Sequence, residues 1–166
     1  MTENDALQSS QLLDILLVED NPGDVKLTEL QMKRQNVHFN LYSVLNGEDA
    51  IRLLNKEEEF SSAPTPDLIF LDINLPQISG HEVANYIRTH PTFRNIPFYM
   101  LSSSQHPADT VDAQKNGASC YFTKPLDFTK LRSIIGISSR IRYEEVDGHI
   151  YYYKSLGPRR NAPKLD

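Results

Sequence analysis

The chain has a single cysteine, Cys120, in 166 residues, so it forms no internal disulfide. Its place in the apolar run Cys120-Tyr121-Phe122 reads as a buried, inert thiol. An excess of cations is also missing. The 17 Lys and Arg against 22 Asp and Glu leave a formal net charge of -5, which argues against a nucleic-acid partner because phosphate backbones attract basic surfaces. Arg159-Arg160 is too short a basic cluster to reverse that. No apolar run approaches the roughly 18 residues of a membrane span, and the polar start Thr2-Glu3-Asn4-Asp5 lacks the charged-then-apolar pattern of a signal peptide. Together these absences point to a soluble, cytoplasmic protein. No glycine-rich loop follows the first apolar run, which disfavours nucleotide binding. The histidines (His38, His81, His90, His106 and His149) show no metal-ligand spacing and read as surface or loop residues.

What is present is enough chain for one compact domain, organised as alternating short apolar runs and helical patterns. Ile15-Leu16-Leu17-Val18 is a buried strand that ends in Glu19-Asp20. Asn21-Pro22-Gly23-Asp24 is turn chemistry in which Pro22 opens a helix carrying Val25, Leu27, Leu30 and Met32. Phe39, Leu41 and Val44 alternate as a second strand, and Ala50, Ile51, Leu53 and Leu54 recur at helical spacing. After the charged, Ser- and Pro-rich loop 56–66, Leu68-Ile69-Phe70-Leu71 is the third strand, ending in Asp72. A helix is expected over His81–Arg88 and a fourth strand over Phe98–Leu101, ending in Ser102-Ser103-Ser104. Pro107–Asn116 reads as a helix stopped by Gly117. Cys120–Phe122 is the fifth strand, and Leu126, Leu131, Ile134, Ile135 and Ile141 mark a last helix. Five strands alternating with five helices predict an α/β fold with a parallel sheet covered on both faces. Residues 1–11 read as a loose arm, 12–142 as the domain and 143–166 as a tail. In that tail Asp147-Gly148 is a hairpin signal. Tyr151-Tyr152-Tyr153 either packs back on the sheet or meets a second copy or partner.

The C-terminal ends of parallel strands lie along one edge, where ligands bind. The pattern therefore brings Glu19, Asp20, Asp72 and Lys124 to one small site. Carboxylates that close resist joint ionisation. A divalent cation relieves the repulsion, and hard oxygen ligands favour Mg²⁺. Lys124 meets a phosphoryl group held on Asp72, and Ser102 offers a hydroxyl from the side. This is the equipment of phosphoryl transfer, which depends on positioning and charge neutralisation. Asp72 is the nucleophile and needs no general base, because a carboxylate is already ionised.

Leu17-Val18-Glu19-Asp20, Leu71-Asp72-Ile73-Asn74-Leu75-Pro76, Ser102-Ser103, Gly117-Ala118 and Lys124-Pro125, in that order, resemble the receiver domain of two-component response regulators over residues 12–137. The resemblance implies a flavodoxin-like, doubly wound sheet in the order 2-1-3-4-5. It implies phosphorylation of Asp72 by a sensor histidine kinase, with Mg²⁺ held by Glu19, Asp20, Asp72 and the Asn74 carbonyl. Lys124, Ser102 and Ser103 would bind phosphate, and Tyr121 stands at the position of a switch aromatic, although plain core packing serves it as well. Asn74 and Ser104 would tune the lifetime of the phosphorylated state, and a cis peptide is expected before Pro125. The stretch Val18 to Asp24, with His90-Pro91 and Ile96-Pro97, is more narrowly similar to stand-alone receivers paired with bacterial phytochromes. With about 25 residues left after the last helix, the expected output is protein contact, dimerisation or phosphate relay, not turnover of an external substrate. Two rivals stand beside this reading. An aspartate-nucleophile phosphatase would want an acid where Asn74 stands. An unphosphorylated receiver-like interaction module typically lacks one of the acids or the lysine.

Overall fold

The computed structural model describes residues 12–103, 120–135 and 141–155. The expected helix over 107–116, Gly117-Ala118, Ser104, His106, Arg159-Arg160 and the arm 1–11 lie outside them. In chain order the elements are β1 (Asp14–Val18), α1 (Pro22–Arg34), β2 (Val37–His38), β3 (Asn40–Val44), α2 (Gly47–Leu54), a 3-10 turn (Glu58–Phe60), β4 (Leu68–Asp72), α3 (Gly80–Thr89), β5 (Phe98–Ser102), β6 (Cys120–Thr123), α4 (Phe128–Ile135), β7 (Ile141–Val146) and β8 (His149–Lys154). Five strands form one parallel sheet in the order β3-β1-β4-β5-β6. Counted along that sheet alone this is 2-1-3-4-5, the flavodoxin-like order.

Side-chain alternation divides the core between the two faces of the sheet. Leu16, Val18, Ile69, Leu71, Phe98 and Met100 meet Leu53 and Leu54 of α2 and Val83, Ala84 and Ile87 of α3. Ile15, Leu17, Leu68, Phe70, Tyr99, Leu101 and Phe122 face the other way, onto Phe128 and Leu131 of α4, with Val25 and Met32 of α1 packed at the margin. The helix starts are sequence-encoded. Asn21, Asn46 and Ser79 cap α1, α2 and α3, and Ser79 with Glu82 completes a capping box.

Two sequence expectations change. Ile141 does not continue the last helix but opens β7, the outer strand of an antiparallel hairpin that reverses at Asp147-Gly148. β8 also pairs in parallel with β2, giving a second, three-stranded sheet in the order β2-β8-β7. Tyr152 is fully buried there, in the same cluster as Phe39 and Phe128, so the tyrosine run packs back on the domain. Nor are all the histidines loop residues. His38 in β2 and His149 in β8 are half-buried and share a ring-to-ring hydrogen bond of 2.8 Å. His38 also stacks on Tyr151 with centroids 4.4 Å apart. Glu58 and Glu59 are exposed and each pair with Arg52 at 2.7 Å.

Candidate functional site

The site forms where four neighbouring strands stop together. Val18 of β1 is in register with Leu71 of β4, so the next residues, Glu19 and Asp72, leave the sheet side by side. On the far side of β4, Asp72 is in register with Leu101 of β5. Ser102 in turn aligns with Thr123 of β6, one residue before Lys124. The Lys124 backbone N–H donates to the Ser102 carbonyl at 2.8 Å, which fixes the start of the lysine stem two strands from Asp72. The Lys124–Pro125 peptide is cis.

From there the Lys124 ammonium lies 2.7 Å from Asp72 Oδ2 and 3.2 Å from Asp24 Oδ2, and it also pairs with Glu19 Oε2. Ligand oxygens of Glu19, Asp20 and Asp72 all fall within 4.8 Å of one another. Glu19 and Asp72 are buried, and Asp20 is exposed at the mouth. Backbone amides complete the setting: Asn74 N–H donates to Asp72 Oδ1 at 2.9 Å and Asn21 N–H to Glu19 Oε1 at 3.1 Å. Ser102 is buried at the strand end, Ser103 and Asn74 are exposed, and Tyr121 is half-buried against the cluster beneath α2 and α3.

Burial pushes the Glu19 carboxyl up to about 7. The Lys124 and Asn21 hydrogen bonds oppose the rise, and neighbouring Asp72 adds to it. Burial alone would lower the Lys124 ammonium, but the hydrogen bonds it donates to Asp72 and Glu19, reinforced by their charges, hold it above the usual lysine range. One cation among four carboxylates leaves excess negative charge at the mouth. The donor set is hard oxygen, spaced closely enough to share one small ion, which fits a divalent cation of the Mg²⁺ or Mn²⁺ kind. A divalent cation in this cluster would need ionised Glu19, so protons would compete for it. Affinity for a divalent cation is expected to fall as pH drops below about 7, by up to about tenfold per unit for one displaced proton, and to level off above that pH. Calorimetric titrations in buffers of different ionisation heat check this by counting the proton released.

The local sequence marks Asp24 as a turn residue, yet the structure brings it to the site. The available signal was its place four residues after Asp20, one helical turn into α1, on the side where β1 ends.

The sequence profile of the response regulator receiver domain matches residues 15–136. The chain belongs to the response regulator receiver family. Response regulator Rcp1 of Synechocystis sp. is 32% identical over 126 residues, which is 75% of this receiver chain and 86% of Rcp1. The Mn²⁺-bound crystal structure of Rcp1 superposes with a TM-score of 0.62, covering 76% of this chain and 92% of that one. The phosphorylated cyanobacterial phytochrome response regulator RcpA is 35% identical, with a TM-score of 0.63 over 76% of this chain and 91% of its own. The bacteriophytochrome response regulator RtBRR is 33% identical, with a TM-score of 0.68 over 82% and 86%. Among the described residues, no helix of this receiver is long and apolar enough to cross a membrane.

Proposed function

We propose that this receiver accepts a phosphoryl group on Asp72 from a sensor histidine kinase and, once modified, changes the proteins it contacts. The observation that carries the reading is the 2.7 Å pairing of Asp72 with Lys124 beside a three-carboxylate cluster. The nucleophile, the cation that would meet the transferred group and the oxygens that would hold a metal thus occupy one small site. Glu19, Asp20 and Asp72, with the backbone at Asn74, would hold Mg²⁺. When bound, the ion neutralises the charge that builds on the phosphoryl oxygens. Asp72 forms the new bond to phosphorus while the donor's P–N or P–O bond breaks, and the donor keeps the electron pair. Lys124 orients the phosphoryl oxygens and offsets their charge, and Ser102 supplies a hydroxyl at the adjoining strand end. The result is an acyl phosphate on the protein, which makes the chain a phospho-acceptor and not a turnover enzyme.

The likeness to RcpA and RtBRR favours a phytochrome-class kinase as donor, in the cytoplasm. A second copy of this chain or another protein would then receive the output. The switch works by differential contact: the modified Asp72 favours whichever arrangement of Lys124, Ser102 and Tyr121 satisfies its oxygens. Incubation with acetyl phosphate and Mg²⁺ is expected to add one phosphoryl group per chain by intact mass, and EDTA is expected to prevent it. Labelling that ignores EDTA, or none with Mg²⁺ present, would defeat the proposal.

A further inference from the structure

Lys124 faces three carboxylates, and they are not equivalent. Glu19 and Asp72 belong to the cluster whose oxygens converge within 4.8 Å, whereas Asp24 does not. A cation in that cluster would draw on the charge of Glu19 and Asp72 and leave Asp24 as the partner of Lys124 that owes nothing to the metal. Asp24 Oδ2 lies 3.2 Å from Lys124 Nζ with its side chain 37% exposed. Its backbone is fixed in the first turn of α1, where its N–H donates to the Asn21 carbonyl at 3.0 Å. Thr28 Oγ1 donates to the Asp24 carbonyl at 3.0 Å. The crevice beside the pair, lined by Glu19, Leu27, Thr28 and Pro125, holds about 20 Å³, enough for a water.

An ammonium has three N–H donors, and Glu19, Asp24 and Asp72 already supply three acceptors. A phosphoryl oxygen gains Lys124 only by displacing one of them. We propose that Asp24 is a positioning residue that competes with the phosphoryl group on Asp72 for the Lys124 ammonium, lowering the occupancy of the Lys124–phosphoryl contact. The proposal rests on reading Asp72 as the acceptor. The competing account makes Asp24 simply an acidic first-turn residue that complements the positive end of α1, a role in which Lys124 takes no part.

Beryllofluoride, titrated at saturating Mg²⁺ and followed by ¹⁹F NMR up to millimolar concentration, separates the two. Asp24→Asn is expected to bind it about threefold to fivefold more tightly, the size of an exposed ion pair. Asp24→Glu, which keeps the charge, is expected to stay near the wild type. In a Lys124→Ala background the Asp24→Asn gain is expected to vanish. Without beryllofluoride, the ¹⁵N resonance of the Lys124 ammonium is expected to shift in Asp24→Asn as that partner is lost. An Asp24→Asn that binds no more tightly, a gain that survives Lys124→Ala, or an unmoved ammonium resonance overturns the proposal. No binding by the wild type would instead overturn the acceptor reading itself.

Discussion

Asp72→Asn is expected to carry no phosphoryl label, whether the donor is acetyl phosphate or a histidine kinase, while the fold persists. The substitution keeps the shape of the side chain and its ability to accept the Asn74 N–H at 2.9 Å. It removes the ionised oxygen that attacks phosphorus, because an amide is a far poorer nucleophile than a carboxylate. The other carboxylates do not substitute. Glu19 is buried and holds Lys124, and in the presence of Mg²⁺ it would be engaged by the ion. Asp20 sits at the mouth, and no ion pair with Lys124 is found for it. Lys124 keeps Glu19 and Asp24 as partners in the variant, so the ammonium is not stranded. Intact mass after exposure to donor and Mg²⁺ gives the answer, and circular dichroism shows that the fold survives. Stoichiometric label on the variant would move the acceptor elsewhere.

Among the described glycines, Gly80→Ala is expected to be the most damaging single methyl. A Cβ built at Gly80 would lie 2.1 Å from the Asp72 carbonyl oxygen and 2.8 Å from Ile73 Cα. Both are main-chain atoms, so no side chain can swing aside. Gly80 N–H also donates to the Ile73 carbonyl at 3.1 Å, which draws the start of α3 against the end of β4. Relief requires lifting α3, whose Val83, Ala84 and Ile87 are fully buried, or displacing the strand end that carries Asp72. The cost is roughly 3 kcal/mol, equivalent to a Tm lower by about 6–12 °C for a chain of this size. Phosphoryl labelling at a temperature where the variant is folded should fall as well, because the displaced atoms belong to Asp72 itself. A Tm within a degree or two of the wild type would show that α3 and β4 do not meet so closely.

The buried strands were legible because β1, β4, β5 and β6 are compact apolar runs that a two-sided parallel sheet demands, and because their polar last residues mark the edge where ligands gather. β2 was not legible. It is two residues long and exists only by pairing with Ile150 and Tyr151, far along the chain, a contact no local pattern encodes. Ile134 and Ile141 fall close to two helical turns apart, so periodicity alone does not distinguish a helix running on from a strand beginning. Glu19, Asp20, Asp72 and Lys124 could be picked out because each stands within two residues of the end of an apolar run. Asp24 follows a turn, where Asp is common for reasons of its own, and only the folded arrangement brings it to Lys124.

An ion pair between Asp14 and Lys154, at the opposite rim of the sheet, bears on the order of events in the cell. Asp14 is buried with its carboxylate 2.5 Å from the Lys154 ammonium, and that cation is translated 140 residues after its partner. A charge buried without its counter-ion is costly. On the ribosome, then, the first strand has to wait in water, or tolerate an unanswered anion, until Lys154 has emerged.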